Sequence, residues 1–297
     1  MDRLSAMAVF VAVIRAGSLS AASRELRIPL PTVSRKVAEL EAHLNAKLLV
    51  RGTRRLSLTQ AGEAYLAACR RILDDVAEAE RGASGEYQAP QGELVVTAPV
   101  TLGRLHVVPV AAEFLAEHER VDLRLVLSDR PLNLIDDHLD LAVRVGELPD
   151  SSLVAARIGQ IRNVVCATPD YLRRRGVPKS PQSLAQHDCV SFSSLGAPGG
   201  WTFGGETVPV RSRLMVSTAE AALDAALCGV GITRLLSYQV AEAVKTGRLT
   251  IVLRKHEPAP LPVNLVYVRE RRLSGKLRAF LDFASPRLRK RIEQARV

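Results

Sequence analysis

Long apolar runs are absent from this sequence, and no segment approaches the about eighteen consecutive apolar residues that a membrane-spanning helix needs. The first residues, Met-Asp-Arg-Leu-Ser, lack the basic-then-apolar pattern of a secretory signal. The four cysteines are too widely spaced for a zinc site or a disulfide framework, and each is predicted to be a small buried side chain: Cys69, Cys166, Cys189 and Cys228. These absences predict a cytoplasmic protein.

Catalytic motifs are also missing. The six histidines show no metal-ligand spacing, and the chain has neither a Gly-x-Ser-x-Gly elbow nor a phosphate-binding P-loop. His187, Asp188 and Cys189 are consecutive, but neighbours on a strand point to opposite faces and therefore do not form a triad. We predict no enzyme, no metal and no cofactor. Aromatic residues make up 4% of the chain, which argues against a stacking pocket, although Trp201 or Phe203 could supply one wall.

What the chain does have is positive charge. Its 297 residues suffice for two domains, and the net charge of +10 favours a polyanionic partner. Residues 1–62 contain ten Lys or Arg against four Asp or Glu. A second basic cluster, residues 271–297, contains nine against two. For that cluster a solvated helix face is favoured over a DNA or assembly surface.

The first basic region reads as helices followed by a hairpin. Residues 4–16 form an amphipathic stripe that ends at Gly17. A second helix is predicted over Ala21–Leu26 with Ser20 as its N-cap, and the prolines that follow cannot continue it. Pro31 suits the first position of a third helix. That helix has one apolar face, made by Val33, Val37, Leu40 and Leu44.

The other face of the third helix carries small hydroxyls and cations near its start, which is typical of a helix that enters the DNA major groove. These residues are Thr32, Ser34, Arg35 and Lys36. Three arginines flank Gly52 in the hairpin and indicate contact with phosphates or the minor groove: Arg51, Arg54 and Arg55. A solvated helical face is the alternative, because helix-turn-helix matches often arise by chance.

This stretch resembles the winged helix-turn-helix of LysR-type transcriptional regulators, a bacterial family. The matching marks are Ala21-Ala22, Pro31-Thr-Val-Ser-Arg35, Leu40-Glu41, Leu44, Leu48-Leu49, Arg51, Arg54-Arg55, Leu58-Thr59 and Ala61-Gly62. Arg27 stands where most members have a turn glycine, and Leu30 stands where many have a polar residue that touches DNA. The resemblance implies DNA contacts by Pro31, Thr32, Ser34, Arg35, Lys36, Arg51, Arg54, Arg55 and Thr59.

Beyond residues 1–62, the segment 63–84 carries a heptad-like seam of Tyr65, Cys69, Ile72, Val76 and Ala79. A helix packed on its own domain gives the same stripe, but the resemblance implies a linker helix through which two subunits dimerise. A two-fold dimer predicts a near-palindromic promoter site. The family further implies tetramers, and RNA polymerase is a candidate partner. Residues 85–92 are rich in Gly and Pro and predict a hinge.

Residues 93–297 alternate strands with helices, among them a short helix near 132–137, which predicts an α/β domain. The fold class is therefore α/β with a helix-rich N-terminal winged helix-turn-helix domain, a linker helix and a bilobed effector domain. The last resembles the periplasmic-binding-protein fold and the LysR effector domain. We place lobe I at 93–162 and 268–297 and lobe II at 163–267, with crossings near 162–166 and 262–268.

Ligands of such sheets lie beyond the carboxyl ends of the strands, where helix N-termini offer free N–H groups. Together with the family resemblance, this indicates an effector cleft lined by Val100, Thr101, Ser128, Arg144, Gly146, Ser193 and Thr218. Each has a structural alternative: Thr101, Ser193 and Thr218 as helix caps, and Arg144 as part of an ion pair. We expect a small, anionic effector.

Two other functions are alternatives to that of a regulator. A cysteine- or serine-dependent enzyme is the weaker, because no triad is present. The stronger is a ligand-binding protein whose helical domain serves assembly rather than DNA. We predict a cytoplasmic LysR-type regulator that binds DNA, senses a small molecule and activates or represses transcription.

Overall fold

The computed structural model describes residues 2–51, 56–84, 89–148, 153–192, 200–269 and 273–297. The chain forms two compact units, Met1–Ala89 and Pro90–Val297. None of the described helices is by itself long and apolar enough to cross a membrane. Helices α1 (Arg3–Ala16) and α2 (Leu19–Leu26) meet that test only as a pair bent by 117°, and their apolar residues pack into a core.

The first unit is a helical domain with a small hairpin. After α1 and α2 come α3 (Leu30–Leu44), β1 (Leu49–Arg51), β2 (Leu56–Leu58) and α4 (Gln60–Ser84). Strands β1 and β2 pair antiparallel. The apolar face predicted for the third helix is buried where it meets α1, with Phe10, Val33, Val37, Leu40 and Leu48 each at most 1% exposed. This core fixes α3 from behind and leaves its other face to solvent.

The helix starts differ from those predicted. Helix α2 begins at Leu19, and its N-cap is Ser18, whose Oγ accepts a hydrogen bond from the Ala21 N–H at 3.1 Å. Ser20 is therefore inside the helix rather than its cap. Helix α3 begins at Leu30 after Pro29, so Pro31 occupies its second position. Proline is tolerated there for the reason that favoured the first position, because N–H groups of the first turn have no partner within the helix.

Arg27 ends α2 in the left-handed conformation, with φ of 55°. This is the position at which the sequence lacks the family's turn glycine. A side chain at such a φ costs about 1–2 kcal/mol, whereas glycine adopts it freely but loses more entropy on folding. We expect Arg27→Gly to raise the free energy of unfolding of the first unit by about 0.5–1 kcal/mol. Urea unfolding followed by helical circular dichroism measures this, and a destabilised variant would contradict the strain argument.

Gly62 shows why the start of α4 requires glycine. A Cβ added at this residue would lie 2.0 Å from the carbonyl oxygen of Leu48, a backbone atom that cannot move aside alone. The same oxygen accepts a hydrogen bond from the Thr59 N–H at 3.0 Å. The first turn of α4 therefore rests directly on the base of the hairpin.

The second unit contains two five-stranded sheets. The first has the order β4-β3-β5-β14-β6. Its strands are β3 (Gly92–Ala98), β4 (Val121–Leu127), β5 (Leu141–Val145), β6 (Leu153–Ile161) and β14 (Leu261–Val268). Its helical segments are α5 (Val100–Leu102), a π-helical turn (Gly103–Val107), α6 (Val108–Glu117) and α10 (Gly275–Gln294). Strands β3, β4 and β5 are parallel, so their carboxyl ends meet at one edge.

The second sheet has the order β11-β8-β12-β7-β13. Its strands are β7 (Asn163–Ala167), β8 (Asp188–Phe192), β11 (Arg211–Val216), β12 (Ile232–Leu236) and β13 (Thr250–Val252). Helices α7 (Pro169–Arg175), α8 (Ala219–Leu227) and α9 (Ser237–Lys245) accompany it, with short 3₁₀ turns at Pro181–Gln186 and Arg254–His256. A separate hairpin joins β9 (Gly200–Phe203) and β10 (Glu206–Pro209).

Two of the predictions for the strands and helices of this unit are wrong. The predicted lobe II spans 163–267, but β14 pairs with β5 and β6 and belongs to the first sheet. The second crossing therefore precedes Leu261, and the first lies at Arg162, between β6 and β7. The short helix expected near 132–137 is a turn, in which the Asn133 side chain accepts hydrogen bonds from N–H groups two and three residues on. Such local bonding competes with helix formation.

The basic cluster at 271–297 falls largely on α10, which packs against the first sheet. Two of its arginines are held by the rest of the domain. Arg291 donates a hydrogen bond to the Leu105 carbonyl oxygen at 3.1 Å, and Arg287 donates to Glu113 at 3.3 Å while lying 3.5 Å over the Phe283 ring. These two cations serve the packing of the domain.

Candidate DNA interface and effector cleft

The outer face of α3 presents the residues predicted to read DNA. Arg35 is exposed, with 70% of its side chain accessible, and its Nε lies 3.8 Å from Glu39 Oε1. Thr32 and Ser34 are half-buried beside it, and Pro31 and Leu30 are exposed at the helix start. An exposed ion pair of this kind contributes little free energy. The guanidinium is therefore available to another acceptor.

Lys36 differs from its neighbours. It is half-buried, and its ammonium donates a hydrogen bond to the hydroxyl of Ser5 on α1. The contact links α3 to α1. In this structure Lys36 is a bridge between helices, and its ammonium keeps two further N–H donors, so its contact with DNA stays a prediction.

Among the residues predicted to contact DNA from the hairpin region, Thr59 is also engaged within the protein. The Thr59 hydroxyl donates to the Lys47 carbonyl oxygen at 2.6 Å and accepts from the Gly62 N–H at 2.9 Å. In this structure the hydroxyl of Thr59 therefore caps the start of α4, and its contact with DNA stays a prediction. Arg54, Arg55 and the side chain of Arg51 lie outside the described residues.

Glu41 is the residue that ties α3 to the hairpin. Its side chain is 3% exposed, and Oε1 accepts hydrogen bonds from the N–H groups of Leu48 at 2.9 Å and Leu49 at 3.2 Å. Oε2 lies 3.1 Å from the Lys47 ammonium. Burial by itself raises the pKa of the Glu41 carboxyl, but these partners outweigh it and hold that pKa below its usual value. The sequence analysis has Glu41 only as part of the family mark Leu40-Glu41 and predicts no structural role for it.

The dimer seam predicted on α4 is wrong at Cys69. This residue has no exposed surface and packs in the core of its own unit, which was the alternative open at the sequence level. Tyr65 is half-buried against the same core, 6.1 Å from Phe10 between ring centroids. Ile72 and Val76 are half-buried and Ala79 is exposed. Surface for a second subunit therefore remains on the later turns.

The cleft residues meet at the carboxyl ends of the parallel strands. Just beyond β3, the Val100 N–H donates to Asp129 Oδ1, which follows β4, at 3.0 Å. The hydroxyl of Thr101, 5% exposed, donates to Glu220 Oε1 at 2.5 Å. Glu220 lies in the first turn of α8, beside the second sheet. This hydrogen bond therefore joins the two halves of the second unit across 119 residues of sequence.

Two carboxylates thus occupy the positions at which an anion was expected. Neither Asp129 nor Glu220 was among the predicted effector ligands. Tyr238, from α9, is 4% exposed, and burial together with the charges of Asp129 and Glu220 raises its pKa. The backbone and hydroxyl donors predicted for an effector are present, and the protein's own side chains use them.

The remaining predicted cleft residues play largely local roles. Ser128 Oγ donates to the Arg130 carbonyl oxygen at 3.0 Å, and Thr218 caps α8 by accepting from the Ala221 N–H at 3.2 Å. The Arg144 guanidinium donates to the Leu132 carbonyl oxygen, which replaces the ion pair considered for it. Gly146 has φ of 101°. Ser193 lies outside the described residues.

The cysteines offer no reactive thiolate in the interior. Burial raises the pKa of Cys69 to about 11 and those of Cys166 and Cys189 to about 12, so these thiols stay protonated near neutral pH. Cys228, which was predicted to be buried, is exposed at the end of α8. No group of three or more potential metal ligands occurs among the described residues.

Two family models match the chain. Residues 4–63 match the bacterial regulatory helix-turn-helix protein of the lysR family, and residues 87–289 match the LysR substrate binding domain. An HTH-type transcriptional regulator of Xanthomonas campestris pv. campestris is 38% identical over 289 residues, which are 94% of this chain and 84% of that protein. An HTH-type transcriptional repressor of Pseudomonas aeruginosa is 35% identical over 95% of this chain and 91% of its own length.

Solved structures agree along the whole chain. CrgA, a LysR-type transcriptional regulator from Neisseria meningitidis, is 34% identical with a TM-score of 0.61, covering 96% of this chain and 98% of its own. The full-length virulence activator AphB of Vibrio cholerae is 29% identical with a TM-score of 0.59, covering 95% and 98%. The two domains, their order and their fold are those of regulators that bind DNA and sense an effector. The chain belongs to the LysR family of bacterial transcriptional regulators.

Proposed function

We propose that α3 reads base edges in the major groove through Thr32, Ser34 and Arg35, with Pro31 at the helix start. The apolar face of α3 is buried and the face with Arg35 is exposed, which supports this orientation. Arg51, Arg54 and Arg55 would contact the phosphate backbone or the minor groove. Glu41 holds the base of their hairpin on α3, so both elements approach the duplex together.

The later turns of α4 would form the contact between two subunits, through Ile72, Val76 and Ala79, with Tyr65 at the edge. A two-fold pair of recognition helices calls for a near-palindromic promoter site. Further contacts would assemble tetramers, and RNA polymerase is the partner through which activation or repression would act. Because its ligand is chromosomal DNA, we assign the protein to the cytoplasm.

The effector would bind where Thr101 and Glu220 meet. The single observation that carries this proposal is the hydrogen bond from Thr101 Oγ1 to Glu220 Oε1 at 2.5 Å, which spans the two sheets of the second unit. A small anionic effector would replace the Glu220 carboxylate at this hydroxyl. Its binding would break one contact between the sheets and make others, and this differential contact is what allows a ligand to shift a conformational equilibrium.

Glu220→Gln tests whether this carboxylate competes with the effector. A like charge about 4 Å away costs roughly 1 kcal/mol even in water, which is about fivefold in affinity. We therefore expect the variant to bind propionate at least about fivefold more tightly than the wild-type protein, by isothermal titration calorimetry. The neutral probe propionamide should gain nothing, because no charge repulsion is relieved.

The matched control is Thr101→Val in the Glu220→Gln background, which removes the donor and should abolish the gain. An equal gain for propionate and propionamide would mean that Glu220 blocks the cleft by size. Equal propionate affinity in the two proteins would refute the competition.

A further inference from the structure

A group of arginines lies where α7 ends, beside the first residues of β8 and β11. Arg175 is the last residue of α7, and Arg211 and Arg213 belong to β11, the edge strand of the second sheet. Their guanidiniums lie 3.8, 3.6 and 3.1 Å, respectively, from carboxylate oxygens of Asp188, the first residue of β8. We call these three arginines the arginine cluster. It shares no residue with the cleft at Thr101.

A shift in strand pairing directs one of these side chains. Strand β11 pairs parallel with β8, and the register shifts between Ser212 and Leu214. Arg213 is therefore the extra residue of a bulge, a feature that re-aims side chains. Its guanidinium donates a hydrogen bond to Asp188 Oδ2 at 3.1 Å. Two arginines of one strand thereby converge on the same carboxylate, because Arg211 approaches its Oδ1.

The Asp188 carboxylate is recessed, whereas the guanidiniums around it are accessible. The Tyr171 hydroxyl accepts a hydrogen bond from the Asp188 N–H at 3.0 Å and donates one to the Asp188 carbonyl oxygen at 3.3 Å. The side chain of Asp188 is 10% exposed, but those of Arg175, Arg211 and Arg213 are 48, 70 and 62% exposed. A molecule arriving from solvent therefore meets the guanidiniums first.

Positive charge is in excess at this place. Among the residues that the structure describes, Asp188 is the only carboxylate within ion-pair distance of the three guanidiniums. One negative charge faces three positive ones, so two positive charges remain unbalanced. The contacts of Arg175 and Arg211 with Asp188 are longer than hydrogen bonds. Each of these side chains therefore keeps most of its five N–H donors for another acceptor.

We propose that the arginine cluster binds a phosphate dianion, either inorganic phosphate or the phosphate monoester of a small molecule. Arginine forks match the geometry of phosphate oxygens, and a phosphate monoester carries about −1.5 to −2 charges near neutral pH, which balances the excess. A carboxylate would balance only half of it. Because the three guanidiniums converge on one point, the geometry favours one doubly charged group over a row of singly charged backbone phosphates.

The test is calorimetric titration of the full chain, in a buffer free of phosphate, with inorganic phosphate and with the monoanion dimethyl phosphate. We expect saturable binding of phosphate and at least about fivefold weaker binding of dimethyl phosphate, which has one charge fewer. Replacing both Arg211 and Arg213 by alanine should weaken phosphate binding at least about tenfold. Replacing both Arg248 and Arg254 by alanine, which removes the same charge from exposed positions outside the cluster, should change nothing.

Asp188→Asn should have the opposite effect and strengthen phosphate binding about fivefold, because it removes the one repelling charge. The fluorescence of the single tryptophan, Trp201, reports whether this variant is folded. If it is not, the exposed arginine substitutions still decide the matter. Equal phosphate affinity in the wild-type protein and the Arg211 and Arg213 double variant overturns the proposal. So does equal affinity for phosphate and dimethyl phosphate, because that pattern identifies a general anion surface such as a contact with the DNA backbone.

Discussion

Replacing Glu41 by alanine is expected to lower the free energy of unfolding of the first unit by about 3 kcal/mol. The carboxylate receives two backbone N–H groups, from Leu48 and Leu49, at the base of the hairpin. Both residues are at most 4% exposed, so water cannot easily replace the lost acceptor. The substitution therefore leaves buried donors unpaired and removes the link that holds the hairpin on α3.

Two optical probes separate this effect from the rest of the chain. The single tryptophan, Trp201, belongs to the second unit, whereas helical circular dichroism reports on both units. In urea, Glu41→Ala should move a circular dichroism transition to lower concentration and leave the tryptophan transition in place. Glu41→Gln keeps one acceptor oxygen, so its circular dichroism transition should lie between those of the wild-type protein and Glu41→Ala. Coincident shifts of both probes would show that Glu41 is not a local support of the hairpin.

The lowered pKa of the Glu41 carboxyl predicts that acid reduces the stability of the first unit. Its pKa in the folded protein is lower than the usual value of 4.5. A depressed pKa contributes stability that is present above the unfolded value and is lost as the pH falls through the folded one. The gap in stability between wild type and Glu41→Gln should therefore be constant near neutral pH and narrow below pH 4.5.

The first unit was largely predictable, because its signals are local. Apolar periodicity predicted the positions of α1 and α3, and the prolines predicted the break before α3. The errors lie at the helix starts: Ser18 and Ser20 are both capping residue types, and the packing of Leu19 against the core favours the earlier one. Cys69 was misassigned because one stripe on α4 serves both the domain core and the surface beyond it.

The sites in the second unit depend on contacts that no spacing reveals. Thr101 was predicted from the end of its strand, but its partner Glu220 is 119 residues away. Likewise, the ion pair of Arg162 with Glu257 spans 95 residues and joins two crossings whose positions depend on the sheet order. Strand β14 was assigned to the wrong lobe for the same reason, since its pairing with β5 and β6 is settled by tertiary packing. Only the β9–β10 hairpin had a local signal that was missed, the pair Gly204-Gly205.

The second large effect concerns Arg35. Arg35→Ala is expected to weaken binding to the protein's preferred DNA by about 5- to 150-fold, which corresponds to roughly 1–3 kcal/mol. Guanidinium can bond guanine in bidentate fashion, and the only partner that the structure describes for it is Glu39 at 3.8 Å. That exposed pair is weak and does not hold the side chain back. The preferred site is first obtained by selecting random duplexes with the full-length protein, and fluorescence anisotropy then compares that site with its scrambled version.

Two matched variants distinguish base reading by Arg35 from a contact with phosphate. Arg24→Ala removes the same charge from an exposed position on α2, so its loss should be small and equal on selected and scrambled DNA. Arg35→Lys keeps the charge at the recognition helix but lacks the planar fork that pairs with guanine. It should therefore retain the salt dependence of the wild-type protein while losing most of the preference for the selected site. Equal losses for Arg35→Ala on both DNAs would instead make Arg35 a phosphate contact, and base reading would then fall to Thr32 and Ser34.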